Sequence, residues 1–205
     1  MMRMTSMLAA ALVLAACNGD ATGAGSGDAR MNVAVRGDDP PASQSVQSAD
    51  GGAPSFSHAT ASGTIDFRAR VYVQSSTSGW VELTNNAAGS GSVDASGHGS
   101  ALAFASSRVS AGSYNRVRVV FEDVDANLSG GLQVSTGLLT GSVSVNLESD
   151  GQVVVEREVN VSASSGAAAQ VVINLNADAW LNQANATTRT VSEASFRNAV
   201  AVTAQ

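Results

Sequence analysis

Apolar and polar residues alternate one by one along several stretches of this chain. Between residues 65 and 73, apolar side chains occupy every odd position, and polar or aromatic side chains fill the even positions. A period of two places the apolar set on one face of a β-strand, whereas a helix would spread it around its circumference. The same alternation recurs at 143–148 and 171–176. Because the main large apolar residue is valine, whose branched side chain favours extended backbone, the pattern predicts half-buried strands.

Weaker forms of the pattern predict further strands and the turns between them. Asp150-Gly151 lies between two alternating runs and predicts a hairpin, because both central residues of a type I′ turn take positive φ. The Ser-Gly-Gly sequence at 129–131 predicts another tight turn, and 177–183 favours a short helix. The other predicted strands run over 31–35, 80–84, 101–104, 114–124, 153–163 and 196–202.

Arg157 interrupts the alternation, because it falls in phase with the valines of the 153–163 strand. Two explanations are open at this point. A β-bulge would shift the register of the strand locally, or Arg157 would pair with a buried acid. We favour the bulge.

Many short strands, joined by Gly- and Ser-rich turns without interleaved helices, predict an all-β fold, an antiparallel β-sandwich. A chain of 205 residues has room for one domain with a substantial core. We place this domain at 31–205, with a long polar loop at about 38–62 that contains all three prolines. Residues 17–30 are small and polar, which predicts a flexible tether.

The first sixteen residues have the features of an export signal. Met1-Met2-Arg3 provides a positive start, and the apolar segment at 7–14 is shorter than the roughly 20 residues needed to span a bilayer. Leu14-Ala15-Ala16-Cys17 resembles the bacterial lipobox at all four positions. That resemblance implies cleavage before Cys17, a diacylglycerol on its sulfur and acylation of the new amine, which together anchor the chain in a membrane. An ordinary secretory signal with a chance cysteine is the alternative.

Two residues at this junction refine the prediction. Asn18, rather than Asp, follows the cysteine, and by resemblance to the sorting pattern of enteric lipoproteins this favours the outer membrane, with the leaflet left open. Cys17 is also the only cysteine of the chain. The mature protein therefore holds no internal disulfide, and its stability must come from packing.

The charge balance excludes one class of partner. Charged residues make up 14% of the chain, the formal net charge is −6, and lysine is absent. Nucleic-acid binding gains affinity from clustered Lys and Arg that release counterions, so we expect no nucleic-acid partner. The same deficit argues against polybasic contact with a lipid surface.

Asp123, Asp125 and Asn127 place oxygen donors at alternate positions, as in the first half of a calcium-binding loop. In an extended strand such residues lie about 6.6 Å apart, too far to share an ion comfortably. A calcium site therefore requires the chain to curl at this point. The alternative is an acidic end of a hairpin without bound metal.

Candidates for catalysis are few. The chain has two histidines, His58 and His98, and lacks the G-x-S-x-G motif of many hydrolases. Paired carboxylates for glycoside cleavage are the remaining possibility, and they would have to come together from separate strands. The carboxylates considered are Asp66, Glu82, Glu122 and Glu148. Solvated strand faces explain them equally well, and we expect no enzymatic activity.

Two aromatic residues, Trp80 and Tyr114, are candidates for stacking on sugar rings if they are exposed. The more common fate of an aromatic side chain in a strand is burial in the core. The sequence leaves both outcomes open.

The segment Ala111-Gly112-Ser113-Tyr114-Asn115-Arg116-Val117-Arg118-Val119 resembles the Ala-Gly-x-Tyr-x-x-Ile-Arg-Leu segment of bacterial lipoproteins of domain-of-unknown-function family 4382. Shorter likenesses occur in the family's order at 32–40, 71–73, 79–83 and 172–177. Asn174 and Asn176 stand where the family has Asp. The resemblance implies a transthyretin-like or immunoglobulin-like sandwich on a lipid anchor, and it supplies no catalytic residues.

Together these features predict a cell-envelope lipoprotein of the outer membrane, attached through Cys17. We expect its sandwich to have a non-enzymatic binding or structural role, with an envelope protein or a glycan as partner. The alternative is a calcium-stabilised adhesion or carbohydrate-binding module.

Overall fold

The computed structural model describes residues 27–37, 62–77, 79–96, 99–149 and 151–205. The predicted signal peptide, Cys17, most of the predicted tether and the loop from 38 to 61 lie outside these residues. Among the described residues, no helix has both the length and the apolar character needed to cross a bilayer. The strands are β1 (Asp28–Arg36), β2 (Ser62–Ser75), β3 (Gly79–Glu82), β4 (Gly89–Asp94), β5 (Leu102–Ser110), β6 (Gly112–Ser129), β7 (Leu132–Val134), β8 (Gly137–Leu139), β9 (Val143–Glu148), β10 (Val153–Ala163), β11 (Ala168–Asn174), β12 (Thr190–Ser192) and β13 (Ala201–Ala204), and the helices are α1 (Ala177–Leu181) and α2 (Glu193–Ala199).

Two main sheets form the layers of the molecule. The first has four strands in the order β13-β11-β1-β5, and the second has seven strands around the long central pair β2 and β6. The other edge of β6 pairs with β10 along its first half and with β9 along its second half. The other edge of β2 is shared in the same way by β3 and β4. The predicted all-β sandwich is confirmed, and the choice between a transthyretin-like and an immunoglobulin-like sandwich stays a prediction.

The core lies between the sheets and consists largely of the apolar residues that alternate along the predicted strands. The odd residues of 65–73 are all buried, and so are the two valines of β9 and most of the apolar positions of β10, whereas Leu147 is partly buried. A chain of aromatic contacts crosses this core: the ring centroids of Phe67 lie 5.2 Å from Phe104 and 6.5 Å from Phe121, and those of Phe196 lie 5.0 Å from Phe121 and 5.4 Å from Trp180. These contacts link strands β5, β2 and β6 to both helices.

Strand β6 departs from strict alternation at two places. On the partner strand β2, Arg68 pairs with Asp123 and the next residue, Ala69, pairs with Phe121. Glu122 of β6 is therefore an extra residue that forms a bulge. A second shift between Gln74 and Ser75 leaves Asn115 as the extra residue. Because each bulge moves the inward positions by one, β6 buries Tyr114, then Val117, Val119 and Phe121, and then Val124, Ala126 and Leu128. Both bulges add polar side chains to the outer face of the sheet.

The hairpin predicted at Asp150-Gly151 is wrong. Strands β9 and β10 do not pair with each other; both run antiparallel to β6, one after the other along the same edge. Gly151 lies in a bend with φ of 158°, and Asp150 lies outside the described residues. The local sequence resembled a turn because it interrupts two alternating runs, but the interruption lies opposite the Glu122 bulge. The turn predicted at 129–131 is confirmed, with positive φ at Gly130 and Gly131.

The strand predicted over 196–202 is also wrong in its first half, which belongs to helix α2. Ser192 caps this helix, because its hydroxyl accepts a hydrogen bond from the backbone N–H of Ser195 at 3.2 Å. Glu193 and Arg197 form an ion pair four residues apart on the helix. Only β13 keeps the extended conformation. The short helix predicted near 177–183 is confirmed as α1.

Neither explanation offered for Arg157 is correct. The residue keeps the inward phase of its strand, and the register shift comes later, between Glu158 and Val161. Its guanidinium donates hydrogen bonds to the carbonyl oxygens of Val200 at 2.9 Å and Arg197 at 2.5 Å. Arg157 thus satisfies the carbonyl groups at the C-terminal end of α2, which a helix leaves without internal partners.

Strand β1 begins at Asp28, three residues before the predicted start at 31, so the end of the predicted tether belongs to the sheet. Two pairings, β1 with β11 and β9 with β12, are parallel rather than antiparallel. Among the described residues, all other strand pairs are antiparallel.

Candidate functional site

The outer face of the seven-stranded sheet carries most of the charged side chains considered in the sequence. Its residues form rows that cross the strands. One row runs Glu82, Tyr72, Arg118, Glu156, and the next runs Trp80, Gln74, Arg116, Glu158. We call these two rows the arginine end. Further along β6, the row Ser92, Asp66, Asp125, Asn146 defines the aspartate end.

At the arginine end, opposite charges stand directly across from each other. Arg118 contacts Glu156 at 2.6 Å, and Arg116 contacts Glu158 at 3.5 Å. The guanidinium carbon of Arg118 also lies 4.2 Å from the ring centroid of Trp80. Cross-strand pairs of this kind each contribute roughly 0.2–1 kcal/mol. Together they hold the long side chains of this end in defined positions.

Between the two ends, the bulge residue Glu122 bridges two arginines of β2. Its carboxylate oxygens lie 3.1 Å from Nε of Arg68 and 3.2 Å from Nε of Arg70, and the Glu122 side chain is 18% exposed. The bulge makes this bridge possible, because it turns Glu122 toward the outer face beside residues that it would not otherwise oppose.

A polar groove of about 480 Å³ opens at the arginine end. It forms around Asn115, where the register of β6 shifts against both β2 and β10. As a result, the consecutive residues Asn115 and Arg116 are both exposed. The groove is lined by Gln74, Ser75, Ser76, Asn115, Arg116, Glu158, Val159 and Asn160, and we call it the amide groove.

At the aspartate end, like charges stand directly across from each other. Asp66 of β2 is the cross-strand partner of Asp125. Burial raises the pKa of Asp125, and the negative charges of Asp123 and Asp66 raise it further. The amide of Asn127 donates a hydrogen bond to Asp66 at 2.9 Å and its oxygen accepts one from Ser144 at 2.5 Å. The bond from Asn127 reaches Asp66 only, so it offsets the repulsion between the two opposed carboxylates in part.

The curl that calcium binding by Asp123, Asp125 and Asn127 requires does not occur in this part of the chain. Strand β6 continues through all three residues to Ser129. The oxygen of Asn127 is also engaged by Ser144. Among the described residues, no group of three or more His, Cys, Asp or Glu side chains is arranged to hold a metal ion. Calcium binding stays a prediction, without the geometry that would support it.

Two shallow pockets flank the aspartate end. One, of about 390 Å³, opens where β9 gives way to β10 and includes Glu122, Asp123, Asp125 and Asn146. The other, of about 420 Å³, lies on the β4 side and includes Asp66 with Arg68. Both include carboxylates already described, and they share Asp123 and Asp125.

The two aromatic candidates have different surroundings. Tyr114 is buried, and its hydroxyl donates a hydrogen bond to the carbonyl of Ser110 at 2.8 Å, which ties β6 to the end of β5. Trp80 is partly exposed on the outer face. Only Trp80 is therefore placed to contact a ligand.

The four carboxylates considered for glycoside cleavage are engaged separately. Glu122 binds the two arginines, and Asp66 binds Asn127. Glu82 accepts a hydrogen bond from Thr84 at 2.9 Å, and Glu148 accepts one from Thr190 at 3.4 Å. His58 and His98 lie outside the described residues.

Sequence reasoning missed the amide groove and the opposed pair Asp66 and Asp125. One signal for the arginine end was present: Arg-x-Arg at 116–118 and Glu-x-Glu at 156–158 repeat with the period of a strand. The asparagines of the groove gave no signal, because single polar residues at exposed strand positions are common.

Comparison of the chain with protein-family models, with curated proteins and with solved structures finds no significant match. The resemblance of 111–119 to the lipoprotein family therefore stays a prediction. Two positions that differ from that family, Asn174 and Asn176, lie away from the outer face. The side chain of Asn174 accepts a hydrogen bond from the Asn176 backbone at 3.0 Å, just before α1.

Proposed function

We propose that this chain is a lipid-anchored lipoprotein of the bacterial outer membrane with a non-enzymatic binding role. Attachment would be through Cys17, and binding would use the outer face of the seven-stranded sheet. The observation that carries the binding role is the ordered arginine end, where Trp80 is partly exposed beside Arg118.

The proposal of a lipid anchor rests on the lipobox resemblance of Leu14-Ala15-Ala16-Cys17. A diacylglycerol and an added acyl chain gain about 0.8 kcal/mol for each buried CH₂ group, which makes attachment effectively permanent. Among the described residues, the first strand, β1, begins at Asp28, eleven positions after Cys17 in the sequence.

The binding role rests on pre-organisation. Side chains that are already fixed by neighbours lose little conformational freedom when a ligand binds, which leaves more of the contact energy as affinity. Arg118 is fixed by contacts to Glu156 and Trp80. Trp and Arg are also the residue types that most often dominate binding energy at interfaces.

Mass spectrometry of the protein purified from membranes tests the anchor. We expect an N-terminus at Cys17 that carries lipid, and a Cys17→Ser variant that remains unprocessed and unlipidated. An unmodified, full-length N-terminus in the wild-type protein would refute membrane attachment through Cys17.

Capture from envelope extracts tests the binding role. Detergent-solubilised wild-type protein is compared with Arg118→Ala and with the matched control Arg108→Ala, which changes an exposed arginine of the other sheet. We expect Arg118→Ala to lose a captured component that Arg108→Ala retains. Equal capture by all three proteins would overturn the assignment of binding to this face.

A further inference from the structure

The amide groove lies where the backbone pairing of β6 is irregular. At Asn115 the pairing of β6 shifts against β2 between Gln74 and Ser75, and against β10 between Glu158 and Val161. The pairing of β6 is therefore irregular on both of its edges at the same point. Bulges re-aim side chains and are frequent beside functional sites. The resulting concavity of about 480 Å³ is within the size range of small-molecule sites, about 300–1,000 Å³.

The chemistry of the lining indicates the class of ligand. Gln74, Asn115 and Asn160 supply amides, each with a donor and an acceptor, and Ser75 adds a hydroxyl. Within the described part of the chain, these three amides make no side-chain hydrogen bond. They are therefore available for a ligand whose groups both donate and accept.

The charge of the groove is balanced. Arg116 and Glu158 line it together and lie 3.5 Å apart, so their charges offset each other. An anionic ligand would be repelled by Glu158, and a cationic ligand would be repelled by Arg116. An uncharged ligand that carries many hydroxyl groups meets neither penalty, because hydroxyls are donors and acceptors without charge.

An aromatic side chain lies in the neighbouring strand. Trp80 is the cross-strand partner of Gln74. Its ring is partly exposed and is positioned by Arg118 at 4.2 Å. The C–H face of a sugar ring is apolar and packs well on such an aromatic surface, while the hydroxyl edges of the sugar face the amides.

We infer that the amide groove, with Trp80 at its side, is a binding site for an uncharged polysaccharide segment. This inference rests on the proposed binding role of the outer face and names its ligand class. Gln74, Asn115 and Asn160 hydrogen-bond the sugar hydroxyls. Arg116 and Glu158 line the same groove as an ion pair.

The test uses the full mature chain in a detergent without a sugar headgroup, applied to an array of neutral, acidic and amino-sugar oligosaccharides. We expect binding to neutral members and weakening by about tenfold in Asn115→Ala, since one lost hydrogen bond is worth about 1–1.5 kcal/mol. Asn146→Ala is the matched control, because Asn146 is also an exposed asparagine of the outer face but belongs to the aspartate end. Melting curves verify that both variants fold.

Binding to neutral glycans that Asn115→Ala weakens and Asn146→Ala preserves would support the inference. No binding on the array, binding restricted to charged members, or equal loss in both variants would overturn it. The two assays can fail independently, because capture through Arg118 does not require a bound glycan. A protein captured from envelope extracts through Arg118, with no glycan bound, would leave the binding role standing and the glycan site refuted.

Discussion

The two ends of the outer face lie on the same two strands, β2 and β6, but charges that face each other across strands attract at one end and repel at the other. At the arginine end, each arginine of β6 stands beside a glutamate of β10. At the aspartate end, Asp125 of the same strand stands opposite Asp66 of β2. Opposite charges across a strand pair stabilise a sheet, and like charges destabilise it. The contribution of a charged residue to the stability of this sheet therefore depends on the residue across from it as well as on its own type.

The largest effect should come from Glu122, which lies between the two ends. We expect Glu122→Gln to lower the free energy of unfolding by about 1–2 kcal/mol, because Arg68 and Arg70 lose a partly buried carboxylate. Denaturant unfolding of the full chain measures this change. Glu158→Gln is the control: its side chain is 85% exposed, and its removal should change stability by less than about 0.5 kcal/mol. Equal losses would remove the distinction between these two carboxylates.

At the aspartate end, a substitution should stabilise the protein. We expect Asp125→Asn to raise the free energy of unfolding near pH 7 by about 0.5–1 kcal/mol, because it removes the charge opposed to Asp66. The pH dependence follows from the raised pKa of Asp125. A carboxyl whose folded pKa lies above its unfolded value stabilises the fold when protonated, and this contribution is lost as the pH rises through the folded pKa. The advantage of Asp125→Asn should therefore shrink at acid pH, and an advantage independent of pH would contradict the assigned cause.

At the arginine end, exchanging the charges of Arg118 and Glu156 tests whether their contact stabilises the sheet. Arg118→Glu alone should destabilise the protein, and the double exchange Arg118→Glu with Glu156→Arg should recover part of the loss. We expect a coupling energy of about 0.5 kcal/mol from the double-mutant cycle, which is typical of exposed pairs. A coupling near zero would mean that the 2.6 Å contact contributes no net stability.

Calcium should have the smallest effect. We expect millimolar calcium to shift the melting temperature of the wild-type protein by less than Asp125→Asn does, because Asp123, Asp125 and Asn127 are spaced along an extended strand. Thermal melts with calcium and with a chelator give the two values. A larger shift, abolished by Asp125→Asn, would restore the calcium hypothesis.

Local patterns were sufficient to predict most strands. The alternation at 65–73 and 143–148 depends only on which side chains face the core, and both segments are strands with buried apolar faces. Helix α2 was missed because its seven residues, about two turns, are too few for a clear helical period. Its capping serine, Ser192, was the signal that was present.

The pairing of strands that are distant along the chain could not be predicted from the sequence. Whether Asp66 meets Asp125 depends on the register of β2 against β6, and that register depends on the Glu122 bulge. The in-line arrangement of β9 and β10 has the same origin, since a local turn motif gives no information about a third strand. The amide groove needs the two register shifts at Asn115, one against β2 and one against β10, so no single segment predicts it.

The start of the domain gives the molecule a direction. Gly27 accepts a hydrogen bond from Ala111 just before β6, so the chain enters at the arginine end. If Cys17 carries lipid, covalent geometry limits the distance from that sulfur to Asp28 to about 40 Å. Strand β6 has 18 residues and spans roughly 60 Å. The arginines and the amide groove would then lie on the side nearer the bilayer, and the aspartates toward the other end of β6 would lie farther from it.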